Sequence, residues 1–113
     1  MAGSDWRIFQ LEELLARKRG MTSPYLEFLR VPSLSCGIYT LKAGAKDLQG
    51  PHEEDEVYLV LSGRGRLRVN GAEQEVQRGS VLFVRATSEH TFFEIEEDMT
   101  LLVLFASGGP SEG

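Results

Sequence analysis

The sequence predicts an all-β protein, an antiparallel sandwich or barrel with one N-terminal α-helix, and three observations carry that prediction. From Pro24 onward the chain breaks into short apolar, β-branched and aromatic runs separated by Gly, Pro and Asn. No second helical pattern interrupts them, and seven or eight short strands at such spacing close most economically as a sandwich or barrel. Asn70-Gly71 is a two-residue hairpin signal, because a type I′ turn needs positive φ at both central positions.

The elements follow in order. Residues 5–19, DWRIFQLEELLARKR, place Ile8, Leu11, Leu14 and Leu15 on one helical face, with Gly20 as C-cap. Arg17, Lys18 and Arg19 crowd the last turn, where cations suit the negative end of the helix dipole. Strands are predicted near 25–31, 37–42, 56–62, 65–70, 73–77, 80–84, 90–96 and 100–106. GRGRLRV at 63–69 leads into a strand and not a helix N-terminus, which removes a phosphate-loop reading. Arg64, Arg66 and Arg68 alternate with Leu67 and Val69 and form the outward face there. The expected organisation is a helical extension over 1–24, one β domain over 25–106 and a disordered polar tail over 107–113.

Composition narrows the function classes. A formal net charge of -5 lacks the basic footprint that neutralises phosphates, which argues against nucleic acid as a partner. No apolar run approaches the ~18 residues of a membrane span, and the first residues lack the pattern of a signal peptide, so neither a membrane partner nor export is expected and the predicted location is cytoplasmic. Cys36 is the only cysteine, lies in an apolar strand without an adjacent base, and reads as structural.

The most informative stretch is GPHEEDEVYLVLSG, residues 50–63, where four consecutive acids precede an apolar strand. Side chains alternate across a strand, so His52, Glu54, Glu56, Tyr58 and Val60 share one face and Val57, Leu59 and Leu61 the other. An imidazole and a carboxylate facing one cavity begin a metal site that needs a third ligand. His90, the only other histidine, opens the strand HTFFEIE and completes a 2-His-1-carboxylate set. Glu53 and Asp55 have the opposite parity and face solvent, so the acidic run is part site and part rim.

These residues resemble the cupins. The first cupin motif runs G, five residues, H-x-H, three or four residues, E, six residues, G. Here Gly44, Gly50, His52, Glu56 and Gly63 hold those spacings, with Gly50 in the place of the first histidine. The second motif runs G, five residues, P-x-G, two residues, H, three residues, N. Gly79 and His90 hold register, while Arg85, Thr87 and Glu94 replace its proline, glycine and asparagine.

The resemblance covers residues 25–106 and implies a cupin-type antiparallel β-barrel, also described as a double-stranded β-helix or jelly roll. It implies His52, Glu56 and His90 as ligands of a divalent metal such as Fe, Mn, Ni or Zn. Gln49 beside the vacant position and Glu54 in an alternative register are reserve ligands. Tyr39, Tyr58, Val60 and Phe92 are expected to line the barrel interior, most of them as core packing, with a small molecule beside them if a cavity remains. The implied function is a small single-domain cupin acting on or sensing a small molecule, with dioxygenase- or isomerase-like chemistry if it is an enzyme. The alternative is a metal-independent binding or interaction module. The apolar outer face of the strand at 56–62 calls for a cover, from the helix or from a second subunit in a homodimer.

Overall fold

The computed structural model describes residues 5–47 and 52–106. Among the described residues one helix, α1 (Leu11–Arg19), precedes six strands: β1 (Tyr25–Val31), β2 (Leu34–Leu41), β3 (Asp55–Val69), β4 (Ala72–Gln77), β5 (Val81–Val84) and β6 (His90–Ala106). The predictions for Gln49, for the Gly50 position and for the 107–113 tail lie outside the described residues. Among the described residues, no helix is long and apolar enough to cross a membrane.

Six strands replace the eight expected because two pairs fuse into long bent ones. The expected breaks at Ser62–Arg64 and Glu97–Met99 do not end pairing: β3 and β6 run antiparallel almost throughout, with register shifts between Val60 and Arg66. Gly63, at φ +88°, lies within these shifts where the strand bends, and a Cβ there would strike the Asp98 backbone. The bend divides the fold into two facing halves. In one, β1, β2, the end of β6, the start of β3 and β5 lie side by side; in the other, the start of β6, the end of β3 and β4 do.

The core fills the space between the halves, with Tyr58, Val60, Phe92, Met99, Leu101 and Val103 essentially inaccessible to water. This is the jelly-roll arrangement of antiparallel strands with one helix that the cupin resemblance implies. The Asn70-Gly71 turn joins β3 to β4 with φ +49° and +88°, the two positive values a type I′ hairpin requires. Leu67 is buried while Arg64 and Arg68 face outward, pairing with Glu96, Glu97 and Glu73.

The helix is shorter than its apolar periodicity predicted. Gln10 is extended and makes no side-chain cap, and Phe9 is held outside the helix by an edge contact to Phe28 of β1, centroids 5.0 Å apart. A tertiary contact outweighs propensity in these first residues. Gly20 does close the helix, its N–H donating to the Arg17 carbonyl, but at φ −83° it is not left-handed. The helix packs on β1 and β2.

Candidate metal centre

The site joins the two halves of the fold. Glu56 sits on the inward face of β3, where alternation puts it beside Tyr58 and Val60, and its side chain is 1% exposed. His90 opens β6 in the opposite half, and His52 lies three residues before β3. Two backbone links tie these approaches together. The Thr87 N–H donates to the His52 carbonyl at 2.6 Å, and the Ala86 N–H donates to Asp55 Oδ1 at 2.7 Å. Asp55, read from parity as a solvent-facing rim residue, is exposed but ties down the segment leading to His90.

Thr87 and Glu94 explain two departures from the cupin pattern. Both have positive φ, +65° and +47°, at positions where the family motif carries glycine and asparagine, the residues that adopt that conformation most readily. Those motif positions therefore set backbone shape.

Among the described residues, His52, Glu56 and His90 bring one ligand atom each to within 4.8 Å of one another. Glu56 Oε1 lies 3.3 Å from His90 Nε2, and Oε2 lies 3.3 Å from His52 Nε2. The Tyr58 hydroxyl donates to Glu56 Oε1 at 2.5 Å and is 3.3 Å from His90 Nε2. His90 Nδ1 is 3.1 Å from the Ser88 carbonyl, an acceptor only, so Nδ1 carries a proton and donates there.

The tautomer has a direct electrostatic consequence. Once Nδ1 is protonated, a neutral His90 presents the lone pair of Nε2 to a carboxylate oxygen, and two acceptors face each other. A positive charge between them removes the conflict, either a proton on Nε2 or a metal cation. The contact with Glu56 accordingly raises the His90 pKa above its ordinary value, against the effect of burial, with the Ser88 carbonyl adding to the rise. Glu56 Oε2 is buried and accepts no hydrogen bond. A buried carboxylate whose two oxygens each face an imidazole, one of them without a donor, fits a divalent ion.

A cavity of about 340 Å³ opens beside these groups, bordered by Tyr25, Arg30, Ser35, Tyr39, His52 and Phe105, among others. Tyr58 and Glu54 also border it, whereas Val60 and Phe92, expected as lining, lie deeper and pack the core. Phe92 backs the Tyr58 ring edge-on at 5.2 Å, which positions the hydroxyl over Glu56. Tyr39 reaches the cavity edge but is committed elsewhere, donating to Asp47 Oδ1 at 2.7 Å. Burial and that bond push the Tyr39 pKa up.

Sequence reasoning singled out neither Asp47, Tyr25 nor Phe105. Asp47 is buried and also accepts the Phe92 N–H, pinning the 42–47 loop to β6. Tyr25 lies across Gly37, where any Cβ would overlap its ring; its hydroxyl is buried without a hydrogen bond, and burial pushes its pKa up to about 12. Phe105 braces the His52 ring edge-on at 5.1 Å. At the mouth, Arg30 donates twice to Glu27, at 2.7 and 3.0 Å.

The chain belongs to the cupins: the family model described as Cupin domain matches residues 37–106. It is 44% identical over 100 residues to an uncharacterized protein of Streptomyces coelicolor, covering 88% of this chain and 95% of that one. It is similar in structure to the cupin domain of Schizosaccharomyces pombe Cnp3, with a TM-score of 0.66 and 18% identity over 74% of this chain and 64% of that one. It is also similar to salicylate 1,2-dioxygenase of Pseudoaminobacter salicylatoxidans, solved as adducts with gentisate, with a TM-score of 0.69 and 19% identity. That match takes in 86% of this chain and only 30% of the dioxygenase. At these identities the structural likeness establishes the fold.

Proposed function

We propose that this cupin binds a divalent first-row metal through His52 Nε2, His90 Nε2 and Glu56 Oε2, and acts on or senses a small organic molecule in the adjoining cavity. The observation that carries the proposal is the buried Glu56 carboxylate, with Oε2 unbonded and both imidazole Nε2 atoms at 3.3 Å. Mixed nitrogen and oxygen donors suit Fe, Mn, Ni or Zn without selecting among them.

Each group has a distinct task. Ser88 holds the His90 ring so that Nε2 faces the site, the outer-shell role that fixes a histidine ligand's tautomer. Tyr58 positions Glu56: its O–H occupies Oε1 and leaves Oε2 as the donor atom. Phe105 limits the rotation of His52. A divalent ion, when bound, supplies a Lewis acid with three protein ligands and open positions. The cavity has Val103 and Phe105 as an apolar wall, with Tyr25, Ser35 and Tyr39 also on its border and the Glu54 and His52 side chains at the site end. That combination suits a compact molecule with an apolar body and one or two oxygens. The dioxygenase neighbour was solved with one small molecule, gentisate.

The test is metal content of protein purified without an affinity tag. About one ion per chain is expected in the wild type, lost in His52→Ala and His90→Ala with the far-UV circular dichroism unchanged. Tyr58→Phe is expected to keep the ion but bind it about 10- to 100-fold more weakly. Wild-type metal content in both histidine variants, or none in the wild type after reconstitution, overturns the proposal and leaves a metal-independent binding module.

A further inference from the structure

The helix α1 carries a cation into a place that its packing reserves for an apolar residue. Where α1 packs on β1 and β2, Leu14 of the helix is buried together with Leu26 and Ile38, apart from the main core. Residues four apart share a helical face, so the next turn brings Lys18 onto the same side, and Lys18 is only 7% exposed. It borders an open cleft of about 750 Å³. The lining includes Thr40 and Thr100, which pair directly across β2 and β6 and lie on the Ile38 face of the sheet, two residues further along.

Arg19, Lys42 and Lys46 border the same cleft. Among the described residues, none of these four cationic side chains makes an ion pair or a hydrogen bond, whereas Arg30, Arg64, Arg66 and Arg68 each face a glutamate. Asp98 is the only acid among the described lining residues, and its Oδ1 is occupied by the Ala43 N–H at 2.7 Å. Positive charge thus gathers in one cleft of a chain whose net charge is -5. The dipole of α1 accounts for the exposed Arg17 and Arg19 in its last turn. It does not account for a lysine buried against the sheet, nor for two more from the 42–47 loop. An ammonium taken out of water without a counter-charge is costly, and an anion beside it removes the cost.

We propose that this cleft is a second binding site, for a small doubly charged oxyanion, a phosphate ester or a dicarboxylate, held by Lys18 with Arg19, Lys42 and Lys46 around it. Several cations converging beside hydroxyl-bearing residues are the donor set that phosphate and carboxylate groups take. The site is distinct from the metal centre: none of His52, Glu56 and His90 borders it, although Tyr39 reaches both cavities.

Isothermal titration calorimetry of the full chain with inorganic phosphate and, separately, with succinate tests the site. One saturable equivalent per chain of at least one of the two is expected, and which one binds distinguishes a phosphorylated ligand from a dicarboxylate. His52→Ala should bind it with unchanged affinity, which separates this site from the metal centre. Lys18→Met keeps the apolar stem and removes the charge, so binding should weaken about 10-fold or more. Without the anion that variant should melt at the same or a higher temperature, because an unpaired buried charge is gone. The double variant Lys42→Gln, Lys46→Gln, at two exposed positions, should weaken binding several-fold, and Arg78→Gln, exposed between β4 and β5, should leave it unchanged. No saturable binding of either anion overturns the proposal, as does its loss in His52→Ala or an equal weakening by Arg78→Gln. A Lys18→Met protein that melts lower and binds the anion as before also overturns it, because the lysine then serves the fold alone.

Discussion

The two faces of β3 between Glu56 and Leu61 differ in a way that reverses the usual pattern. The inward face carries a carboxylate, a phenol and a valine, each 1% exposed. The outward face is wholly apolar, Val57, Leu59 and Leu61, and it is the more accessible of the two. Hydrophobic pattern alone would place the second face in the core. The first face is inside because its polar atoms are answered there, by imidazoles and by each other, and because Val60 continues it into Leu101 and Val103. Alternation establishes which residues share a face; partners across the fold decide which face is buried.

The comparison is broken most severely by the same substitution on each side. Val60→Ala removes packed methyl groups from the core and is expected to cost about 2 kcal/mol, while Val57→Ala on the more exposed outward face costs less than about 0.5 kcal/mol. Thermal denaturation measures both, and equal losses would show that the outer face is sealed within a single chain.

A smaller effect isolates the backbone of the inner side. Thr87 is β-branched at φ +65°, a conformation that costs such a residue about 1–2 kcal/mol, of which glycine's greater chain entropy returns about half. Thr87→Gly is therefore expected to stabilise by about 0.5–1 kcal/mol, read as a melting temperature a few degrees higher with metal content retained. A lower melting temperature would mean that the side chain contributes more than its backbone strain costs.

The smallest effect is a pH slope confined to the inward face. Tyr25 pairs with Tyr39 on that side, and burial pushes its pKa up to about 12 from 10.0. A raised folded-state value means that the contribution is complete below about pH 10 and lost as pH rises toward 12. Tyr25→Phe should flatten stability over that range in alkaline melts, leaving the share contributed by Tyr39.

Much of this organisation is legible in the sequence, and the exceptions have physical causes. That His52, Glu56 and His90 converge is legible from spacing, because a β-strand converts spacing into direction. The eight expected strands become six because Gly63 bends a strand without ending its pairing, and a glycine in a run reads as a break. Tyr58 is placed on the right face by parity, but its grip on Glu56 depends on Phe92 behind it, 34 residues away in sequence. Asp47 lies in a loop without periodicity, and its partners Tyr39 and Phe92 meet it only in the folded chain.

The bonds from Thr87 to His52 and from Ala86 to Asp55 carry one more consequence. They fasten the segment holding one imidazole to the segment holding the other, so the two rings behave as jaws of a single clamp whose hinge lies in the backbone around residues 85–88. The spacing between the two rings is therefore adjustable through residues 85–88 without altering either imidazole.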